Sequence, residues 1–89
     1  MRFPPQTPMP LDRATVEMID EGQRGCYGLL EGKEIVFIGS GDIRERLLAH
    51  LNGEGLGERR PTHWIGVVTP RCEAVVAELL AEYSPPGNR

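Results

Sequence analysis

Arg46 and His50 stand four residues apart in the segment IRERLLAHL, residues 43 to 51. If that segment is a helix, the two side chains lie one above the other on its surface. At about 100° per residue, Ile43, Leu47 and Leu51 span an apolar arc of about 80°. Arg46 and His50 fall just beside that arc, at the boundary between core and water where a cleft residue would sit. The same placement suits a solvated helix flank, with His50 favoured near the negative end of the helix dipole. Arg59 and Arg60 lie together among glycines, a basic pair suited to phosphate groups or to solubility alone. His63 and Trp64 open the run HWIGVV, where their rings could stack on or touch a nucleotide or fill core. Tyr27, inside GCYGLL, is in a position that packing alone can explain. Glu73 falls in the first turn of a helical segment, where the helix dipole favours a carboxylate.

These side chains need elements to hold them. Residues 1 to 10 contain four prolines, each fixing φ and lacking an amide donor, so this stretch is expected to be an irregular or mobile arm. Residues 11 to 21 carry Ala14, Val16, Met18 and Ile19 near helical spacing behind Asp12, a candidate N-cap, which predicts a short helix. GCYGLL and EIVFI are apolar and β-branched with Glu31-Gly32-Lys33 between them, the pattern of a β-hairpin. Asp42 followed by Glu45 has the form of a capping box, and Asn52-Gly53 is a stop signal, so residues 43 to 51 are predicted helical. The stretch from Asn52 to Pro61 reads as a loop and His63 to Val68 as a third strand. Thr69 is the expected cap of a last helix with Pro70 at its first position and Val75, Val76, Leu79, Leu80 and Tyr83 along one stripe. The expected fold class is α+β, a small three-stranded antiparallel sheet flanked by helices, as one domain over residues 11 to 89 behind the arm.

Composition narrows the function classes. A chain of 89 residues supports one core. Its net charge of −3 argues against a strong nonspecific nucleic-acid binder, so any contact with nucleic acid has to be local and metal-assisted. There is no run of about 20 apolar residues to cross a bilayer and no secretory pattern near the start, which together give a cytoplasmic expectation with no membrane partner. Cys26 and Cys72 are far apart in sequence with no CxxC pair, which favours two reduced, buried thiols.

Taken in order, these elements resemble the GIY-YIG nuclease fold. Gly25-Cys26-Tyr27 stands for the GIY element and Phe37-Ile38-Gly39 for YIG; Arg46 matches the family's catalytic arginine and His50 a histidine that many members carry one turn later. Tyr83-Ser84-Pro85-Pro86-Gly87-Asn88 matches the closing aromatic-x-Pro-x-x-Asn element. The resemblance covers residues 24 to 89 and implies a one-metal endonuclease acting on phosphodiesters: a tyrosine-activated water attacks phosphorus, the arginine steadies the pentacovalent charge, and a glutamate on the last helix holds Mg²⁺. It places Tyr27, Arg46, His50 and Asn88 in the chemistry; Ser40, Arg59, Arg60 and His63 are the candidate contacts to the nucleic acid, with DNA ahead of RNA. Targeting is then left to a protein partner or larger assembly. Two positions depart from the family pattern. Phe37 lacks the second tyrosine's hydroxyl. Val76 occupies the place of the metal-binding glutamate, and hydrocarbon cannot hold Mg²⁺. Glu73 lies about 60° from Val76 around the helix and is the substitute ligand, whereas Glu78 points to the opposite side. The alternative is therefore a catalytically reduced domain of the same fold that binds nucleic acid or protein; a small interaction protein whose motif matches are accidental is a third.

Overall fold

The computed structural model describes residues 2 to 88; the outermost residues of the arm and of the domain, Met1 and Arg89, lie outside them. Two long strands form the hairpin. β2 (Arg24–Glu31) and β3 (Glu34–Asp42) pair in antiparallel register from Arg24↔Asp42 to Glu31↔Glu34. Gly32, at φ 62°, makes the turn between them, a conformation that costs a residue with a Cβ. β4 (His63–Val68) lies antiparallel on the other side of β2, with Tyr27 opposite Gly66 and Leu29 opposite Trp64. Among the described residues the sheet has four strands rather than the expected three. β1 (Met9–Pro10) adds to the outer edge of β4, pairing Met9 with Trp64 and Pro10 with His63, in the order β1-β4-β2-β3. A proline at an edge strand leaves no interior ladder bond unmade, so the proline content that argued for a loose arm is compatible with this short strand.

Residues 2 to 8 of the arm are irregular, as expected, and are anchored at Phe3 and Gln6. Phe3 is buried among Cys26, Leu30, Ile38 and Ile65, and its amide donates to the Tyr83 hydroxyl at 3.2 Å. The Gln6 side-chain amide pairs with both backbone groups of Gly66, at 2.9 Å each. At the opposite edge, Asn88 does the same on β3: its Oδ1 accepts from Ile38 N at 2.7 Å and its Nδ2 donates to Ile38 O at 2.8 Å.

Helices cover both faces of the sheet. α2 (Ile43–Leu51) has the predicted bounds, and α1 (Arg13–Val16) is four residues long, shorter than the predicted 11 to 21. Asp12 does cap α1, accepting from Thr15 N at 2.8 Å. The helix stops because its apolar residues make no continuous inward stripe: Val16 is buried, while Ala14 and Met18 face solvent, and a segment this short persists only by packing. α1 and α2 lie against Tyr27 and Leu29 through Val16, Ile43 and Leu47. α3 (Cys72–Tyr83) covers the other face, where Cys72 and Leu79 join Cys26, Leu30 and Ile38. It begins two residues beyond the predicted Pro70. Thr69 instead continues the sheet through Thr69 N→Arg24 O, and its hydroxyl accepts from Arg71 N at 3.1 Å. Both cysteines are free and buried. The Cys26 thiol donates to the Cys72 carbonyl at 3.2 Å, and burial pushes its pKa up to about 11, so it is an inert core thiol rather than a nucleophile.

Asp42 ties α2 to the segment before the sheet. Its Oδ1 accepts from Glu45 N at 3.0 Å and its Oδ2 from Gly22 N at 2.8 Å. Asp42→Ala is therefore expected to lower stability by about 1–2 kcal/mol, the upper part of the range for loss of an N-cap because two bonds are lost, measured as a shift in the urea midpoint at constant slope. An unchanged midpoint would show that water replaces both bonds at no cost.

Candidate functional site

Alternation along β2 divides its side chains between the two faces. Cys26, Gly28 and Leu30 turn to α3, and Tyr27 and Leu29 turn to α2. The cross-strand neighbours of Tyr27 are Gly39 on β3 and Gly66 on β4, which leaves room for a phenol ring flat on the sheet. Phe37 stacks beside that ring at 6.4 Å between centroids. His50, from the last turn of α2, meets both aromatic rings edge-on, 5.5 Å from Tyr27 and 5.0 Å from Phe37.

The polar atoms here form a short chain of hydrogen bonds. His50 Nδ1 lies 2.7 Å from the Glu54 carbonyl and His50 Nε2 lies 2.7 Å from the Tyr27 hydroxyl. A carbonyl can only accept, so Nδ1 carries the proton and Nε2 is the acceptor. The Tyr27 hydroxyl must then donate to Nε2. The Glu54 carbonyl reaches Nδ1 because the chain turns back after α2, with Gly53 at φ 90° and Gly55 at φ 75° on either side of it. Arg46, one turn earlier on α2, places its guanidinium beside the Tyr27 hydroxyl and its Cγ and Cδ over Gly41, where a Cβ would stand 3.4 and 3.7 Å from them.

Burial sets the charge states. It raises the pKa of Tyr27 above the ordinary 10.0, an effect that Arg46 partly opposes. It also lowers that of His50 below the ordinary 6.5, against the Glu54 carbonyl, which favours the protonated ring. The resting pair is a neutral phenol donating to a neutral imidazole. A stability consequence follows from the sign of the histidine shift. Above pH 6.5 His50 is neutral in both folded and unfolded chains and its contribution to stability is complete. Below 6.5 the unfolded chain takes up a proton that the folded site resists, so stability falls until the pH has dropped through the lower folded pKa. The wild type is expected to lose more stability than His50→Gln between pH 7.5 and pH 5; equal losses in urea titrations would count against a neutral buried ring.

The structure gathers some of the predicted residues and separates others. Tyr27, Arg46 and His50 come together on the α2 face. Arg59 and Arg60 line a cleft whose wall includes His50. Ser40, opposite Cys26, and His63, opposite Leu30, stand on the α3 face, and the His63 Nδ1 pairs with the Thr62 hydroxyl at 2.9 Å. The two side-chain polar atoms of Asn88 are bound to Ile38. Glu73 is exposed on α3 beside Arg24 and Arg71, and Val76 packs against the core of that same face. The sheet therefore stands between Glu73 and Tyr27. The one carboxylate that the resemblance offers to Mg²⁺ in this chain, Glu73, thus lies on the opposite face from Tyr27, Arg46 and His50 and does not fit a metal held beside them; among the described residues no three of His, Cys, Asp and Glu come together. Two participants escaped the sequence reading. The Glu54 carbonyl is backbone and leaves no residue-type signal beyond its flanking glycines. The role of Gly39 appears only once Tyr27 is placed opposite it.

Compared with protein-family models, curated proteins and solved structures, the chain gives no match. Among the described residues no helix is long and apolar enough to cross a membrane.

Proposed function

We propose that the chain is a nucleic-acid-acting domain of the GIY-YIG type, hydrolysing phosphodiesters through Tyr27 with Arg46 and His50 beside it. The observation that carries this reading is the hydrogen-bond chain from the Tyr27 hydroxyl through His50 to the Glu54 carbonyl. It gives the tyrosine an internal proton acceptor of fixed tautomer. In the proposed reaction the phenol proton moves to His50 Nε2. The imidazolium keeps its Nδ1–H on the Glu54 carbonyl, and the phenolate, with the Arg46 cation next to it, takes a proton from the attacking water. Arg46 then faces the charge that develops on phosphorus as the water oxygen bonds to it; the P–O bond to the leaving nucleotide oxygen breaks, that oxygen takes a proton from solvent, and the imidazolium returns its own proton to solvent. DNA is the favoured substrate, and a protein partner or larger assembly supplies targeting.

A second reading has its own support. Tyr27 is only 1% exposed, and Glu73 lies across the sheet from it, an arrangement suited to a reduced domain of the same type that binds nucleic acid or protein without cutting. Incubation of plasmid, branched DNA and RNA with Mg²⁺ or Mn²⁺, beside an Arg46→Ala control, separates the two. The hydrolase reading expects nicking that the control reduces by about 10²-fold, the scale for losing one group that stabilises the transition-state charge. Folded protein that cuts none of the substrates would overturn it in favour of the binding reading, which in turn requires affinity for nucleic acid at low salt or for a protein partner.

A further inference from the structure

Beside His50 the chain forms a cleft of about 390 Å³, within the roughly 300–1,000 Å³ typical of small-molecule sites. Its apolar walls come from Leu11, Leu51, Leu56 and Pro61, and its cations are Arg59 and Arg60. The chain as a whole carries a net charge of −3, yet among the described residues no carboxylate lines this cleft; Glu31 and Glu58 line the adjoining groove that shares Arg59, and Glu31 Oε1 accepts from the backbone N–H of Arg60 at 3.4 Å. The glycine turn that brings the Glu54 carbonyl to His50 also forms part of the wall through Gly53 and Gly57. The cleft therefore opens next to the Tyr27–His50 pair. The geometry points to a binding site for one unpaired nucleotide, its base against Leu11, Leu51, Leu56 and Pro61 and its phosphate on Arg59 and Arg60.

Three observations support this occupant over a simple anion or an apolar ligand. A phosphate alone would use the two guanidinium groups, which suit its oxygens, but would leave the four apolar walls wet. An apolar ligand would make no use of the two guanidinium groups, of which Arg60's has one N–H on the Arg59 carbonyl at 3.0 Å and its remaining donors available. A nucleoside monophosphate joins a flat, largely apolar ring system to a dianion and satisfies both. The inference rests on the reading of Tyr27, Arg46 and His50 as a phosphodiester site, and it narrows the substrate: a nucleotide next to the reacting phosphate has to leave its stack to enter the cleft. Single-stranded, flapped or branched nucleic acid supplies such a nucleotide at less cost than continuous duplex.

The protein carries its own reporter. Trp64, the single tryptophan, packs in the cluster that contains Leu11, Leu51 and Leu56. Adenosine 5′-monophosphate, adenosine and inorganic phosphate would each be titrated against intrinsic fluorescence, with the wild type, an Arg59→Gln/Arg60→Gln double variant and Glu78→Gln, a control at an exposed position of α3 on the other face of the sheet. The expected result is saturable binding of the monophosphate, at least tenfold tighter than either adenosine or phosphate, weakened about tenfold or more in the double variant and unchanged in Glu78→Gln. The amide shifts of Leu51, Leu56 and Pro61's neighbours in the same titration, followed by NMR, provide a second readout that does not depend on the tryptophan. Phosphate binding as tightly as the monophosphate would reduce the cleft to an anion site and overturn the inference. Absence of monophosphate binding from both readouts would overturn it too, and if Arg46-dependent cleavage persisted the hydrolase reading would stand alone. Monophosphate binding without any cleavage would leave the site intact and remove the hydrolase reading.

Discussion

Gly39→Ala is expected to destabilise the protein by about 2–3 kcal/mol, at the upper end of what overpacking a filled core costs. An ideal Cβ at that position would run into the Tyr27 hydroxyl and the ring carbon that bears it, and would stand 3.1 Å from Phe37 Cε1. The ring has little room to withdraw: Tyr27 is 1% exposed, its hydroxyl is held by His50 at 2.7 Å, and Phe37 stacks along its side. Either the hydroxyl gives up its hydrogen bond or β3 moves away from β2. Gly66→Ala, on the other side of Tyr27, provides the contrast. Its Cβ would meet nothing closer than 3.3 Å, so relaxation of a few tenths of an ångström accommodates it and the loss should be clearly smaller. Chemical denaturation of the two variants checks the ordering. Equal stabilities would mean that Tyr27 is not fixed against the sheet as described.

Tyr27→Phe should separate structure from chemistry. The phenylalanine ring keeps the stacking with Phe37 and fills the same space, so the fold survives. What disappears is the donor to His50 Nε2, leaving a buried acceptor unpaired at a cost of about 1–2 kcal/mol. Under the proposed hydrolase reading, cleavage falls much further, by about 10³-fold, the middle of the range for losing a positioned acid–base group. The measured pair of numbers discriminates sharply: a modest midpoint shift with near-total loss of cleavage assigns the hydroxyl to chemistry. A variant that cuts as fast as the wild type would assign Tyr27 to packing alone, whatever its stability.

Much of the scaffold was legible because local signals agreed with one another. Residues 43 to 51 combined an acidic cap, an apolar arc and an Asn-Gly stop, and α2 has those bounds. His63 to Val68 formed a β-branched run with a proline shortly before and another shortly after, and β4 coincides with it. Errors arose where tertiary contacts outweighed local preference. Four prolines predicted an irregular or mobile arm, and residues 2 to 8 are irregular, but the strand at Met9–Pro10 and the anchoring of Phe3 in an apolar site and Gln6 on a strand edge depend on the sheet order. The spacing of Ala14, Val16, Met18 and Ile19 suggested a helix that packing supports for only a single turn. At the site, the helical spacing of Arg46 and His50 correctly put them on one flank of α2. Helix angles were a poor guide to Glu73, since they compare residues on α3 with each other and say nothing about which face of the sheet α3 covers.

The two amide plugs, Gln6 on Gly66 and Asn88 on Ile38, make the sheet's borders sensitive to chemical ageing. Each plug offers one N–H and one oxygen to a single residue, as a neighbouring strand would. Hydrolytic loss of ammonia from either side chain would turn the donor into a carboxylate oxygen facing a backbone carbonyl at less than 3 Å, and like would repel like. The border so released is the kind of unpaired edge along which two copies of a protein join. A stored preparation would thus drift toward dimers, by a route that begins with a mass increase of about one dalton and no change in its core.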